Sequence, residues 1–157
     1  MIRPTAAADI PQLLSLARGT GVFKPHEITS LEEVLTDFVR KPGGEGYHAH
    51  TLDRQGVVLG FEIHGPNTMT DRTWDLYWIA VEKGEQSRGA GTELLHFAEA
   101  DMRRQGARLI MVETSSLPVY EPTRRFYVKH HYEQIGIVPD FYADGDALVL
   151  FRKRLFS

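Results

Sequence analysis

The spacing of hydrophobic residues changes along the chain and predicts both helices and strands. Before residue 41, apolar side chains recur every three or four positions, as on the buried side of a helix. Further on, short runs rich in β-branched and aromatic residues predict strands. The predicted helices cover 9–19, 25–40, 92–105 and 122–130, and the predicted strands cover 1–4, 47–52, 57–64, 74–81, 109–112, 132–138 and 147–154. The segment Lys41-Pro42-Gly43-Gly44 is expected to end the second helix.

The order of these segments indicates an α/β fold. Three early strands with short connections predict an antiparallel meander. Strand 74–81, helix 92–105 and the continuous apolar run 109–112 predict a βαβ unit with parallel strands. The last two strands predict a hairpin with 139–146 at its tip. We therefore expect a single domain, 1–157, with a mixed, mostly antiparallel central sheet, a βαβ core and flanking helices.

Two further expectations concern the direction of individual side chains. Glu99 and Arg103 are four residues apart on the third helix, a spacing that favours an ion pair on the face away from the core. Trp74 and Trp78 are four residues apart on a strand, where regular alternation places both on one face.

Composition and charge narrow the chemistry that the chain can perform. The 157 residues carry a net charge of −3 and include no cysteine. The lack of cysteine excludes disulfides, thiolate metal sites and a cysteine nucleophile. The charge disfavours nucleic-acid binding, and no apolar run approaches the roughly 18 residues of a membrane helix. Because the N-terminus also lacks the apolar core of a signal peptide, we expect a cytoplasmic protein.

A glycine-rich segment, Gln86-Ser87-Arg88-Gly89-Ala90-Gly91-Thr92, stands between a predicted strand and a predicted helix. The first amides of a helix have no partner within it and carry the positive end of its dipole, so this segment is suited to bind a diphosphate. A P-loop would need a lysine directly after its last glycine, and here none follows. A dinucleotide-binding loop would need a glycine in place of Leu94, although Glu113 lies at the spacing of the ribose-binding residue.

Three motifs in this order resemble the GNAT superfamily of acyl-CoA-dependent N-acyltransferases, in its bacterial small-molecule type. Gln86-x-x-Gly89-x-Gly91 is similar to the family's acetyl-CoA signature. Ile79-Ala80-Val81 resembles the end of the preceding strand, and Phe126-Tyr127-x-Lys129 resembles the second motif. The sequence departs from the pattern at His131, which replaces a glycine, and at Tyr120, which stands where an asparagine is often found.

The resemblance implies an N-acetyltransferase domain that transfers the acetyl group of acetyl-CoA directly to a primary amine of a small molecule. Acetyl-CoA would be the co-substrate, and it would contact the strand end, the glycine-rich segment and one residue further along. These residues are Ile79, Ala80, Val81, Gln86, Ser87, Arg88, Gly89, Ala90, Gly91, Thr92 and Tyr120. An alternative is a non-catalytic module that binds acyl-CoA or a dinucleotide.

Two residues are candidates for proton transfer in such a reaction. Asp75 precedes Gln86 by the offset of the catalytic glutamate in the histone-acetylating branch of the superfamily, and is our candidate for the base. Tyr127 stands where the family motif has a tyrosine beside the cofactor sulfur, and is our candidate for the acid. A phenol suits protonation of a departing thiolate because its ordinary pKa lies near 10. Glu62, Glu113 or water are alternatives for the base.

Other residues give less definite expectations about the acceptor and about metals. The segment 140–146 combines aspartates with aromatic residues, which suits a cationic amine but equally suits a solvated turn. His48 and His50 alternate on a strand, yet no third ligand follows at a suitable spacing, so we expect no metal. The expected partner is a small-molecule amine, with no nucleic acid and no membrane, and a homodimer is possible.

Overall fold

A computed structural model describes residues 1–42 and 46–156 of the chain. The predicted helices and strands are present there, with boundaries that differ by a few residues. The helices are α1 (Ile10–Gly19), α2 (Pro25–Arg40), α3 (Ala90–Arg104) and α4 (Glu121–Lys129). The strands are β1 (Ile2–Pro4), β2 (His48–Arg54), β3 (Val57–Pro66), β4 (Thr73–Val81), β5 (Leu109–Ser115), β6 (Glu133–Ala143) and β7 (Asp146–Arg154). Gly43 and Gly44, which were expected to end α2, lie outside the described residues.

The strands form one sheet in the order β1-β2-β3-β4-β5-β7-β6. β4 and β5 are parallel, and the other neighbouring strands are antiparallel. This order confirms the predicted meander, the βαβ unit around α3 and the mixed, mostly antiparallel sheet. A parallel pair at the middle of the sheet needs a crossover connection, and α3 supplies it.

Helices cover both faces of this sheet. α1 and α2 pack on one face, where they bury Phe61 and Ile63 of β3. α3 and α4 pack on the other face, in a cluster that includes Leu95, Met102 and Tyr127. In the described ranges, no helix is long and apolar enough to span a membrane.

The hairpin of β6 and β7 is longer than the sequence predicted. β6 continues to Ala143, and the turn is confined to Asp144 and Gly145, so the prediction of a tip over 139–146 was wrong. Gly145 has a φ of +82°, a conformation that glycine adopts without a steric penalty. Pro139 is tolerated inside β6 because β6 is an edge strand, where a missing amide breaks no essential pairing.

A β-bulge in β4 changes the direction of its side chains. Leu76 and Trp78 pair with consecutive residues of β3, so Tyr77 is the extra residue. Trp74 packs with α3, whereas Trp78 packs against the cluster of α1 and α2. The expectation that the two tryptophans share a face was therefore wrong, because the bulge breaks the alternation.

Glu99 lies in the interior rather than on the exposed face of α3. Its carboxylate accepts hydrogen bonds from the hydroxyl of Tyr132 at 2.8 Å and from Nζ of Lys153 at 2.9 Å. The predicted exposed pair of Glu99 with Arg103 was wrong. A buried carboxylate is tolerated here because two donors, one from the segment between α4 and β6 and one from β7, replace the water that it loses.

Candidate active site

β4 and β5 separate part-way along their length. Their pairing covers Thr73–Leu76 of β4, whereas β4 stays paired with β3 as far as Val81. β5 in turn stays paired with β7 as far as Ser115. Among the described residues, no strand pairs with the β5-facing side of Ile79–Val81. Such an opening offers backbone donors and acceptors to an extended ligand.

The N-terminus of α3 lies at the open end of this split. Gly89 caps the helix with a φ of +84°, and the first helical hydrogen bond runs from the amide of Glu93 to the carbonyl of Gly89, at 2.9 Å. The amides of residues 90–92 precede that bond and have no partner within the helix. A Cβ added to Gly91 would lie 3.4 Å from the ring of Phe126 and 3.9 Å from Val81. The predicted diphosphate segment is thus placed beside the ends of both β4 and α4.

The side chains around this segment differ in their surroundings. Ser87 has a φ of +71°, so the turn bends sharply before Gly89. Arg88 is exposed and adds positive charge near the helix end. Thr92 lies 3.0 Å from His130, measured from Oγ1 to Nε2, which ties the first turn of α3 to the end of α4. The contact of Thr92 with His130 thus fixes the first turn of α3 against the end of α4.

α4 carries Tyr127 into the interior on the α3 side of the sheet. The residue is only 3% exposed, and its ring packs 5.3 Å from that of Tyr132 and 6.0 Å from that of Phe151, centroid to centroid. Burial raises the pKa of the Tyr127 hydroxyl above its ordinary value. The phenol therefore stays protonated at neutral pH and can donate a hydrogen bond, but it is a weaker acid than an exposed tyrosine.

Asp75 lies on the opposite face of β4, half-buried. Burial and the negative charge of Glu113 raise the pKa of its carboxyl, and a hydrogen bond with Tyr77 opposes that rise. The pKa of the Tyr77 hydroxyl is also raised, to about 12, by burial and by the charge of Asp75. A carboxyl with a raised pKa is a better proton acceptor than an ordinary aspartate, which is the property that a general base needs.

Acidic and aromatic side chains continue from Asp75 along this face. Burial and the charges of Glu113 and Asp146 raise the pKa of Tyr142 to about 12. Burial and the charge of Glu27 raise the pKa of Tyr120 as well. We call this surface the acidic groove and define it by Asp75, Tyr77, Glu113, Tyr120, Tyr142 and Asp146.

The connection between α1 and α2 crosses the acidic groove. The Tyr120 hydroxyl donates to the carbonyl of Val22 at 3.4 Å, and Nζ of Lys24 lies 3.4 Å from Oδ2 of Asp146. The hydroxyl of Ser115 donates to the other oxygen of Asp146, which is buried. These contacts hold the α1–α2 connection against β7 and the start of α4.

Several candidate residues are placed differently from the expectation. Tyr120 contacts the α1–α2 connection, and its contact with acetyl-CoA stays a prediction. Glu62 is completely buried on the α3 side, between His50 and His64, and so lies on the other face from Asp75. Of the aspartates near the hairpin tip, Asp146 belongs to the groove, whereas Asp140 accepts a hydrogen bond from the amide of Gly145. Asp140, which lies within β6, thus bonds to the backbone of its own hairpin.

Sequence reasoning missed two residues that act on this groove. Tyr77 follows Asp75 at a strand spacing of two, a signal that could have been used, but the bulge at Tyr77 could not be foreseen. Glu27 comes from the first turn of α2, and nothing in the spacing of residues relates it to Tyr120. Its contribution depends on the packing of α2 against the sheet.

Comparison with known proteins relates this geometry to one family. A profile described as the acetyltransferase (GNAT) family matches residues 10–132. No curated protein sequence matches the chain. A crystal structure of a GNAT-family protein from Desulfovibrio desulfuricans is 30% identical, with a TM-score of 0.94 and coverage of 99% of both chains.

More distant structures share the fold. An aminoglycoside 6'-N-acetyltransferase complexed with coenzyme A is 21% identical, with a TM-score of 0.80 and coverage of 100% of this chain and 98% of the other. The ribosomal-protein-S18-alanine N-acetyltransferase of Escherichia coli is 16% identical, with a TM-score of 0.77 and coverage of 100% and 94%. The profile match over most of the chain, together with the full-length structural match, shows that this protein belongs to the GNAT family of acetyltransferases.

Proposed function

We propose that the protein transfers the acetyl group of acetyl-CoA directly to a primary amine of a small, cationic molecule. The observation that carries this proposal is the position of Asp75, whose pKa is raised, in a groove lined by acidic and aromatic residues beside the split of β4 and β5. The groove suits an ammonium group by charge and by cation–π contact. The split suits the extended arm of the coenzyme.

In our proposal, residues of this chain are assigned to each step of the reaction. The amides of residues 90–92 bind the diphosphate of acetyl-CoA. Asp75 accepts a proton from the ammonium group of the acceptor, directly or through water, so that the neutral amine can attack the thioester. Backbone N–H groups around Ile79 and Ala80 donate to the oxyanion that develops on the thioester carbonyl. Tyr127 donates a hydrogen bond to the departing sulfur, which takes up the second proton that the nitrogen releases as the amide forms.

The size of the acceptor is inferred from the contacts across the acidic groove. Val22 and Lys24 are held against Tyr120 and Asp146, so the α1–α2 connection lies against the groove. This connection limits the room beside the groove carboxylates. We therefore favour a small molecule over the ribosomal-protein type of acceptor. The possible homodimer and the cytoplasmic location stay predictions.

Binding and turnover test this proposal together. Acetyl-CoA at about 100 times its Kd is expected to stabilise the fold by roughly 2.7 kcal/mol, which raises the Tm by about 5–11 °C, and NAD is expected to have no effect. Thiol release from acetyl-CoA is then followed with a diamine and with an amino alcohol of equal length. We expect the higher kcat/KM for the diamine, because its second ammonium group pairs with a groove carboxylate.

The outcomes separate the alternatives. Stabilisation by NAD alone would identify a dinucleotide-binding module. Stabilisation by acetyl-CoA without thiol release for any amine would identify a non-catalytic acyl-CoA module. Equal kcat/KM for the diamine and the amino alcohol would remove the acidic groove from acceptor recognition, and faster release with a peptide amine would point to a protein acceptor.

The backbone of Gly89 gives a direct test of the diphosphate segment. An alanine at a φ of +84° costs about 1–2 kcal/mol, so Gly89→Ala is expected to displace the amides of residues 90–92 from the conformation that binds the diphosphate. If the whole cost falls on the bound state, Kd for acetyl-CoA rises roughly 5–30-fold, measurable by calorimetry. The matched control is Gly84→Ala, since Gly84 has no atom within 4 Å of an added Cβ and no positive φ. Equal affinities for the two variants would contradict the assignment.

A further inference from the structure

Three histidines and two carboxylates lie together beneath α3, on the face of the sheet opposite Asp75. They are His48 and His50 of β2, Glu62 and His64 of β3, and Asp101 of α3. His48 pairs with His64, and His50 pairs with Glu62, across the β2–β3 ladder. The spacing of the two β2 histidines gave no third ligand because the others come from a neighbouring strand and from a helix.

We propose that His48, His64 and Asp101 form a binding site for one zinc-type divalent ion. Their three ligand atoms lie within 4.8 Å of one another. Oδ2 of Asp101 is 2.8 Å from Nε2 of His64 and 4.0 Å from Nδ1 of His48. Tetrahedral zinc with nitrogen and oxygen ligands sets its ligand atoms about 3.3 Å apart, which lies between these two values. Binding an ion therefore requires the first pair to open by about 0.5 Å and the second pair to close by about 0.7 Å.

The neighbours of these ligands complete the arrangement that protein zinc sites use. A histidine that binds a metal through one ring nitrogen usually donates from the other to a carboxylate. Nδ1 of His64 is 2.7 Å from Oε2 of Glu62, and the other oxygen of Glu62 is 2.6 Å from Nδ1 of His50. Asp101 is oriented in the same way, since its second oxygen accepts from Arg104 at 2.7 Å.

The alternative ligand set of His50, Glu62 and His64 is less suitable. It would use Nδ1 of His64 and so would remove the hydrogen bond between that nitrogen and Glu62. The first set leaves this bond intact, and it places an ion between the sheet and α3.

Charge and access also suit a divalent ion at the first set. A carboxylate contacts each ring nitrogen of His64, Glu62 on one side and Asp101 on the other, and this negative charge suits a cation. His64 is fully buried, whereas the side chains of His48 and Asp101 are each 11% exposed, so an ion can reach the site from their side. The bound ion would fasten α3 to β2 and β3.

Metal binding by the purified protein tests the site without reference to catalysis. After removal of metals with a chelator, we expect calorimetry and elemental analysis to give one zinc per chain. Cobalt(II) in its place is expected to give the visible absorption of a tetrahedral site. His48→Gln and Asp101→Asn should each weaken binding at least tenfold, whereas His96→Gln, which changes an exposed histidine beside His130, should bind as the parent does.

Each outcome decides the question. Binding that is lost in both site variants but kept in His96→Gln supports the site. No binding by the parent protein, or binding that survives in either site variant, overturns it, and loss in His96→Gln assigns the ion to the surface histidines instead. If circular dichroism shows that His48→Gln is unfolded, zinc binding by Asp101→Asn is compared with that by the parent protein and by His96→Gln.

Discussion

Asp75→Asn is expected to lower kcat by about 10²–10⁴-fold, the range that a positioned general base contributes. Asparagine has nearly the same shape as aspartate but cannot accept a proton from the acceptor's ammonium group. Because Asp75 lies in the acidic groove and the predicted diphosphate segment lies at the start of α3, Kd for acetyl-CoA should stay unchanged. Steady-state rates at saturating acetyl-CoA, with calorimetry for binding, measure both quantities.

The pH dependence identifies Asp75 more sharply than the rate does. The base must be deprotonated, so activity falls as pH drops through its pKa, which burial and Glu113 hold above the ordinary value. Glu113→Gln removes a negative charge that raises this pKa. We therefore expect the acidic limb of kcat/KM to move to lower pH in Glu113→Gln and to disappear in Asp75→Asn.

A different set of results would assign the base elsewhere. If Glu113→Gln loses as much activity as Asp75→Asn, Glu113 takes the proton. If both variants keep the parental acidic limb, the acceptor or water governs the profile. Glu62 is not a suitable replacement, since it is completely buried between two histidines on the α3 side of the sheet.

The elements of the fold were largely predictable because their signals are local. Apolar residues at a helical spacing predicted α1 and α2, and the uninterrupted run 109–112 predicted a strand covered on both faces. The direction of individual side chains was predicted wrongly where contacts between distant parts of the chain override the local pattern. The bulge at Tyr77 reversed the alternation after Leu76, and Glu99 was predicted to be exposed because its partners, Tyr132 and Lys153, are distant in sequence.

The candidate site also has a part with a local sequence signal and a part without one. The position of segment 86–92 at the start of α3 was predictable because glycines before an apolar helical pattern are a local signal, and its binding of a diphosphate stays a prediction. The acidic groove was not predictable, since Glu27, Glu113 and Asp146 come from α2, β5 and β7 and become neighbours only in the folded sheet. The histidine cluster beneath α3 was not predictable either, because the spacing of residues within one strand does not show which residues of other elements lie beside it.

Tyr127→Phe is expected to lower kcat by about 10²-fold or more, with little change in Kd for acetyl-CoA. The substitution removes one oxygen and leaves the ring in its contacts with Tyr132 and Phe151. Burial raises the pKa of Tyr127, well above the roughly 8.5 of an ordinary thiol, so complete proton transfer to the sulfur is uphill. We therefore expect the hydroxyl to act by a hydrogen bond that strengthens as negative charge develops on the leaving sulfur.

Tyr132→Phe is the matched control, because it removes the hydroxyl of a second buried tyrosine in the same cluster. That hydroxyl donates to the carboxylate of Glu99 at 2.8 Å, and a hydrogen bond to a charged group contributes about 1.5–3 kcal/mol to stability. Tyr132→Phe should therefore lower Tm and leave kcat unchanged, whereas Tyr127→Phe should lower kcat and leave Tm unchanged. If both variants lose stability and activity together, Tyr127 acts through packing alone, and the leaving sulfur takes its proton from water.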